Sequence, residues 1–289
     1  MKAVIFLNPR KKNAVVCSLE AVGILETCGI EAAIDAAFAK RLAPGVRLEV
    51  PERLLCEETG DFDFAISVGG DGTLLKTAKL LLGRNIPLLG INTGRLGFMC
   101  SLEAEELSML RRLPSADYHT CSRMLIQCSV THADGTVSDN HTALNDIVIA
   151  RSFSRLCDFR ITADGSVVSE YRADGLIFST PTGSTAYALS SGGAIISPDV
   201  DCIELVPICP HTLFSRPMLF SSDTCLDVRP DYSRADDLCI YADGGAPVPL
   251  KDGDVMNISV SPFRTVIIDM KRDTFYAAVN TKLVRPIKP

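Results

Sequence analysis

No stretch of this chain is long and apolar enough to read as a membrane span. The opening MKAVIFLNPRKK breaks off at Asn8 and Pro9 after a handful of apolar residues, too few for a signal peptide. No dense run of Lys and Arg occurs, and a formal net charge of -6 argues against a general nucleic-acid binder. Histidine is scarce: four are present, none at a His-x-x-x-His spacing, which argues against a zinc site. His211, set among apolar residues in PICPHTLF, reads as structural. A Gly-Lys-Ser/Thr Walker loop is missing, and GDGTLL lacks the last glycine of G-x-G-x-x-G. Neither His-Arg-Asp nor Asp-Phe-Gly occurs, so protein-kinase chemistry loses its signature along with P-loop transfer and Rossmann hydride transfer. The eleven cysteines are odd in number, form no Cys-x-x-Cys pair and follow no export signal. They read as reduced, buried thiols of a cytoplasmic protein, as with Cys128 in MLIQCSV and Cys209 in ELVPIC. In that compartment the Asn-x-Ser/Thr matches at Asn140 and Asn257 carry no meaning.

What is present is an ordinary globular composition, 47% hydrophobic and 22% charged over 289 residues, enough for two domains with a core each. Up to about residue 115, KAVIFL, FDFAISV and IPLLGIN read as strands, and NAVVCSLEAVGILETCG and TLLKTAKLLL as helices. That alternation predicts a parallel sheet with helices on its faces. Between 30 and 58 only VRLEV reads as a strand. After Pro114 the runs have period two, from YHTCSRMLIQCSV to DVMNISVS and RTVIIDM, which predicts a mostly antiparallel region. One helical insert, GSTAYALSSGG, has Ser184 or Thr185 as its front cap and Gly192 and Gly193 as its stop. Domains are expected at 1–115 and 116–289, with the extreme C-terminal segment free to pack back on the first. A cleft between the two is the default ligand site.

The most informative feature is DFDFAISVGGDGT, residues 61–73: an apolar run, then Gly69, Gly70, Asp71, Gly72 and Thr73. Glycines let backbone N–H groups approach an anion, and the helix-forming run that follows aims its positive end at the same point. Such a corner suits phosphate, and a carboxylate inside it repels phosphate unless a cation or a reacting hydroxyl intervenes. Asp71 therefore reads as a participant in phosphoryl transfer. Asp-Gly is otherwise an ordinary turn dipeptide, and the ones at Asp134 and Asp164 read as hairpin turns. Three further segments are rich in small polar residues: NTGRLGF at 92–98, Asn145 with Asp146 inside ALNDIVIA, and DGLIFSTPTGSTAY at 174–187. Taken singly, Phe98 reads as core, Asn145 with Asp146 as a bulge or strand edge, and the 179–185 run as a capped helix entry.

Taken in order, GGDGT, NTGRLGF, LNDIVIAR, DGLIFSTPTGSTAYALSSGGAIISP and PICPHTLFSRPMLF span most of the chain and together resemble the NAD kinase family. GGDGT alone also resembles loops of lipid kinases and phosphofructokinases; DGLIFSTPTGSTAY with PHTLFSRP is far more specific. The resemblance implies an α/β N-terminal Rossmann-like domain, a β-rich, mostly antiparallel C-terminal domain, and a homodimer or homotetramer. It implies transfer of a terminal phosphoryl group from ATP, with Mg²⁺ or another divalent cation, to the 2'-hydroxyl of the adenosine ribose of NAD. Neither nucleic acid nor membrane enters that reaction, and the direct metal ligands stay open.

Under this reading Asp71 accepts the hydroxyl proton, while the amides of Gly70, Gly72 and Thr73, beside Gly69, hold the donor's phosphates. By resemblance Asn145 and Asp146 bind the adenosine of NAD. The family usually has Asn-Glu there, so Asp146 is one methylene short. Thr182, Thr185, Ala186 and Tyr187 map to the adenine and ribose pocket, Ser190 to the NAD-binding residues, Asp174 to the nicotinamide side, Phe98 to an apolar wall and Asp243 to the acceptor phosphate region. Two rival readings are a kinase for a lipid or sugar phosphate and a non-catalytic NAD(H) sensor. The polar 174–187 segment disfavours a lipid, and an intact Asp71 disfavours a pure binder.

Overall fold

The computed structural model describes residues 1–39, 54–56, 60–94, 97–151, 156–212, 215–231, 237–271 and 275–281. The expected strand VRLEV, residues 46–50, lies outside them. Contacts divide the chain into two compact units: Met1–Ser122 with the chain from Thr265 onward, and Arg123–Arg264. The first unit thus reaches Ser122 rather than 115. It also takes back the chain from Thr265, because Ile267 and Ile268 pair with Leu88 and Leu89 of its sheet.

In the first unit β1 (Lys2–Leu7), β2 (Glu31–Asp35), β3 (Leu55–Cys56), β4 (Phe64–Gly69), β5 (Leu88–Asn92) and β6 (Leu102–Glu103) pair in parallel. The order is β3-β2-β1-β4-β5, with β6 beside β5. Parallel strands are covered on both faces and read as continuous apolar runs. β1 obeys this: Ala3, Val4, Ile5, Phe6 and Leu7 have no exposed surface. Helix α1 (Lys12–Thr27) buries Ala14, Val15, Ser18, Ala21, Val22 and Leu25, the three-and-four spacing of one helical face. After the short α2 (Ala36–Ala39), α3 (Asp71–Leu80) leaves β4 directly.

A 3₁₀ helix at Ala104–Ser115, which the sequence reading lacks, packs Leu107, Leu110 and Leu113 into the same core. Their spacing of three matches its three residues per turn. Glu103 and Glu106 close a capping box at its start.

The second unit is two antiparallel sheets over one core. Its strands are β7 (His119–Thr131), β8 (His141–Ala143), β9 (Asp146–Arg151), β10 (Cys157–Ala163), β11 (Ser166–Ala173) and β12 (Gly175–Ser179). They continue with β13 (Cys202–Ile208), β14 (Met218–Ser221), β15 (Leu226–Pro230), β16 (Leu238–Ala242), β17 (Val248–Pro249) and β18 (Val255–Asp269). One sheet has the order β14-β13-β12-β9-β16-β17; in the other, β11, β10, β15 and β18 lie side by side and β7 joins β18 to β8. Alternate residues from both, among them Ile147, Phe159, Phe178, Leu205, Val228 and Met256, form the core between them. Asp164 and Gly165 turn β10 into β11 with φ of 49° and 82°, the left-handed pair that a two-residue hairpin needs. DVMNISVS and RTVIIDM belong to the single strand β18, in which Pro262 falls between the stretch paired with β15 and the stretch paired with β5.

The helical insert is shorter than its composition suggests: a 3₁₀ turn at Gly183–Thr185 and one α turn, α4 (Tyr187–Ser190). Neither Ser184 nor Thr185 caps it. The Ser184 hydroxyl donates instead to Pro181 O at 2.7 Å and accepts the Ile196 N–H at 3.1 Å, closing the loop on itself. All eleven cysteines are free thiols. Burial pushes Cys17 and Cys128 up to about 12 and Cys157 to about 11, so these three are inert at neutral pH. Cys209 is not the buried residue its apolar run suggests. It is exposed in the turn after β13, at φ 46°.

Phe178 has no exposed surface, so Phe178→Ala is expected to cost about 3–5 kcal/mol in urea unfolding through transfer and cavity terms. Arg160→Ala, which breaks a surface pair to Glu170 of 2.8 Å, is expected to cost less than about 1 kcal/mol in the same measurement.

Candidate functional site

Strand order in the first unit reverses between β1 and β4, with β2 and β3 beyond one and β5 beyond the other. The chain leaves such strands toward opposite faces, opening a crevice at their carboxyl ends where open α/β sheets take ligands. Asn8 follows β1 at this point, and Gly70 and Asp71 follow β4. Two helices, α1 and α3, begin here with no side-chain cap at either N-terminus, leaving first-turn N–H groups and two positive dipole ends for an anion.

Asp71 is the first residue of α3. Its Oδ2 accepts the Phe98 N–H at 2.7 Å and its Oδ1 the Met99 N–H at 3.2 Å, which orients the carboxylate. Gly97 must be glycine, because a Cβ there would drive into that carboxylate. Gly69 must be glycine as well, because a Cβ would strike the Thr73 hydroxyl. Thr73 itself is buried. Its N–H donates to Gly70 O at 2.8 Å and its hydroxyl accepts from Asn8 Nδ2 at 3.3 Å, so it braces the corner and its amide is already used. Among the described residues the amides of Gly70 and Gly72 have no partner outside regular secondary structure, which leaves them for a ligand.

The floor of the corner is Asn92, whose Nδ2 donates to Glu103 Oε2 at 2.7 Å and whose Oδ1 accepts the Gly94 N–H at 3.1 Å. Lys11 lies so close to Gly94 that a Cβ there would meet its Nζ, bringing one cation to the anion-binding side. Phe98 is half-buried, so it is not the core residue it resembles in isolation.

In the second unit the chain entering β9 is clamped from both sides. The Asp243 carboxylate accepts the N–H groups of Leu144 at 2.9 Å, Asn145 at 2.7 Å and Asp146 at 3.2 Å. Asp243 reaches them from a turn at φ 51° and returns its own N–H to Asp146 O at 2.9 Å. From the other side Thr180 donates its N–H to Asn145 O at 2.8 Å and its hydroxyl to Leu144 O at 2.6 Å. The clamp leaves Asn145 Oδ1 buried with no hydrogen-bond partner among the described residues, an acceptor that a ligand donor would complete. Asp146 is 6% exposed, and its carboxyl is pushed up to about 7 by burial and by the neighbouring Asp243.

The structure therefore brings Asn145, Asp146 and Asp243 together with the 180–187 loop, which carries Thr182, Thr185, Ala186 and the exposed Tyr187, with Ser190 at the end of α4. Asp174 is not with them. It precedes β12 while the loop follows it, a separation of roughly 17 Å over five residues at about 3.4 Å each. Gly69 through Thr73 and Phe98 form the corner within the first unit. Asn8, Lys11 and Glu103 are additions that sequence reading missed, while Asn92 opens the NTGRLGF segment it singled out; Asn8 had a usable signal, since it follows an apolar strand run as Gly69 and Gly70 do. Among the described residues no three His, Cys, Asp or Glu side chains converge as a metal cage, and no helix is long and apolar enough to cross a membrane.

Two family descriptions match the chain: the ATP-NAD kinase N-terminal domain over residues 3–113 and the ATP-NAD kinase C-terminal domain over 144–270. Among curated relatives, an NAD kinase of Citrifermentans bemidjiense is 34% identical over 284 residues, covering 98% of each chain. One of Symbiobacterium thermophilum is 36% identical over the same length and share. Among solved structures, a yeast NADH kinase complexed with NADH superposes with TM-score 0.86 at 23% identity, over 100% of this chain and 90% of that one. An NAD kinase from Archaeoglobus fulgidus in complex with ATP superposes with TM-score 0.73 at 26% identity, over 97% and 99%.

The raised Asp146 carboxyl makes a stability prediction with a definite sign. Between an unfolded value near 3.9 and about 7 the native state holds a proton that the unfolded state has lost, so stability falls as pH rises through that window. Asp146→Asn removes this dependence. Relative to wild type its unfolding free energy is expected to gain a few kcal/mol on going from pH 4 to pH 8, read from urea midpoints across pH.

Proposed function

The chain belongs to the ATP-NAD kinase family, and from that premise we propose that Asp71 is the proton acceptor in the phosphorylation of NAD to NADP. A ribose hydroxyl is a poor nucleophile until its proton has somewhere to go. As the 2'-oxygen bonds to the terminal phosphorus of the donor, the bond from that phosphorus to the bridging oxygen breaks, the diphosphate leaves, and the hydroxyl proton passes to the Asp71 carboxylate. The observation that carries this reading is a carboxylate at the mouth of a helix N-terminus in the strand-reversal crevice, where a residue that only bound phosphate would not be acidic. Two of its lone pairs accept from Phe98 and Met99, and the others remain for the hydroxyl.

The amides of Gly70 and Gly72, with Lys11, are proposed to hold the donor's phosphates, and the first unit is the donor unit. A divalent cation fits this arrangement as a companion of the donor. Mg²⁺ commonly binds through phosphates, waters and one or two carboxylates rather than a full protein cage, and the chemistry it supplies is neutralisation of phosphate charge. In the second unit the unpartnered Asn145 Oδ1 and the buried Asp146 carboxyl are proposed to take the adenosine hydroxyls and amino group. Thr182, Thr185, Ala186, Tyr187 and Ser190 form the rest of that pocket; Phe98, within the first unit, is proposed as an apolar wall for NAD. Asp243 acts behind them, because its oxygens already hold three amides. Asp174 is proposed to meet the nicotinamide end of the extended dinucleotide. The same reading includes a homodimer or homotetramer in the cytoplasm.

Purified protein with Mg-ATP and NAD is expected to yield NADP. Asp71→Asn should lower kcat by about 10²–10⁴-fold while the NAD dissociation constant, measured by calorimetry, stays within about two-fold. Turnover by this variant at the parental rate would remove Asp71 from the mechanism.

A further inference from the structure

Glu204 is a buried acid that the reaction does not use. It stands in β13 directly across from Ser179 of β12, which in turn stands across from Asp146 of β9, so the three share one row on one face of the sheet. That face continues as Val148, Ile177 and Val206 and is covered by Ala188 of α4. Glu204 has no exposed surface. Its Oε1 accepts the Ala194 N–H at 2.6 Å, while Oε2 has no partner among the described residues. Burial pushes its carboxyl upward. A leucine here would avoid the cost of burying an acid with one idle oxygen, so stability alone does not account for the residue.

The side-chain hydrogen bond that Glu204 makes among the described residues is to the return limb of the 180–196 loop. Gly193 sits close enough that an added Cβ would lie 3.0 Å from Glu204 Oε1. The Gly193 N–H donates to Ala188 O at 2.8 Å, and Ile196 N–H donates to the Ser184 hydroxyl at 3.1 Å. The anchored limb therefore grips both helical turns of the loop, the turns that carry Thr182, Thr185, Ala186, Tyr187 and Ser190. Among the described residues no hydrogen bond joins Glu204 to any of these five.

Resting on the NAD-binding reading of that loop, we propose that Glu204 is a positioning residue for the dinucleotide, pinning the return limb so that the adenosine-facing turns are set before NAD arrives. Preorganisation of this kind acts on affinity for the ligand the loop holds and leaves the donor corner and the chemical step alone.

Three proteins decide it: wild type, Glu204→Leu and Glu204→Gln, each full length. In Glu204→Leu the KM and the calorimetric dissociation constant for NAD are expected to rise about ten-fold or more, with kcat and the KM for ATP within about two-fold. Its thermal midpoint should match or exceed that of wild type, and its Ala194 amide should exchange faster. Glu204→Gln keeps an acceptor for that amide and should recover most of the affinity. An NAD constant in Glu204→Leu within two-fold of wild type overturns the proposal. So does a loss of kcat at unchanged KM, or a lowered midpoint with NAD and ATP constants impaired alike, which would make the residue merely structural. Wild type that fails to bind NAD at all refutes the binding reading itself and the proposal with it, a result visible before either variant is compared.

Discussion

A carboxylate accepting backbone N–H groups from a segment remote in sequence is the contact on which each part of this site depends. Asp71 takes the amides of Phe98 and Met99, and Asp243 takes those of Leu144, Asn145 and Asp146. Glu204 takes that of Ala194. Charge-assisted bonds of this type are about twice as strong as neutral ones and directional, so each converts a loose loop into a placed one. Without them the glycine-rich stretches around 69–72 and 192–193 would sample many conformations, since glycine restricts the backbone least.

That solution concentrates acidic groups where water is scarce. Asp146, beside Asp243 and buried, is held well above an ordinary carboxyl, and Glu204 is displaced in the same direction. Together with the idle Asn145 Oδ1 they are unfavourable for folding taken alone. The antiparallel core around Phe178, Leu205 and Ile147 supplies the compensating burial, directly beneath the strands that carry them. Stability is thus generated on one face of the β9-β12-β13 sheet and spent on the other, the usual relation between a scaffold and a ligand site.

The long periodic elements were legible without coordinates. KAVIFL, FDFAISV and IPLLGIN became β1, β4 and β5, and the first helix and the Asp164-Gly165 hairpin fell where their residues placed them. The 3₁₀ helix at Ala104–Ser115 escaped notice because a spacing of three apolar positions resembles a frayed α pattern more than an element of its own. The insert at 183–193 looked like one capped helix because Ser and Thr score as caps wherever they precede a helix former. Their hydroxyls in fact close the loop on Pro181, Thr182 and Ile196, bonds that only the folded loop makes available. Cys209 looked buried because an apolar run says nothing about where its strand ends.

Residue identity by itself determined the chemistry available: a carboxylate among glycines at the end of a strand, a serine- and threonine-rich loop, and two kinds of periodicity that separate an α/β unit from a β-rich one. These are local properties, set by side-chain type and by the 3.6- and two-residue repeats of the backbone. Tertiary structure alone decided that Asp243 braces the Asn145 strand, that the Thr73 hydroxyl meets Asn8, that Lys11 reaches Gly94, and that Glu204 anchors the return limb of the 180–196 loop. The reason is that which donor meets which acceptor between segments distant along the chain depends on strand order and register, and those follow from how whole faces bury, which no short stretch of sequence encodes.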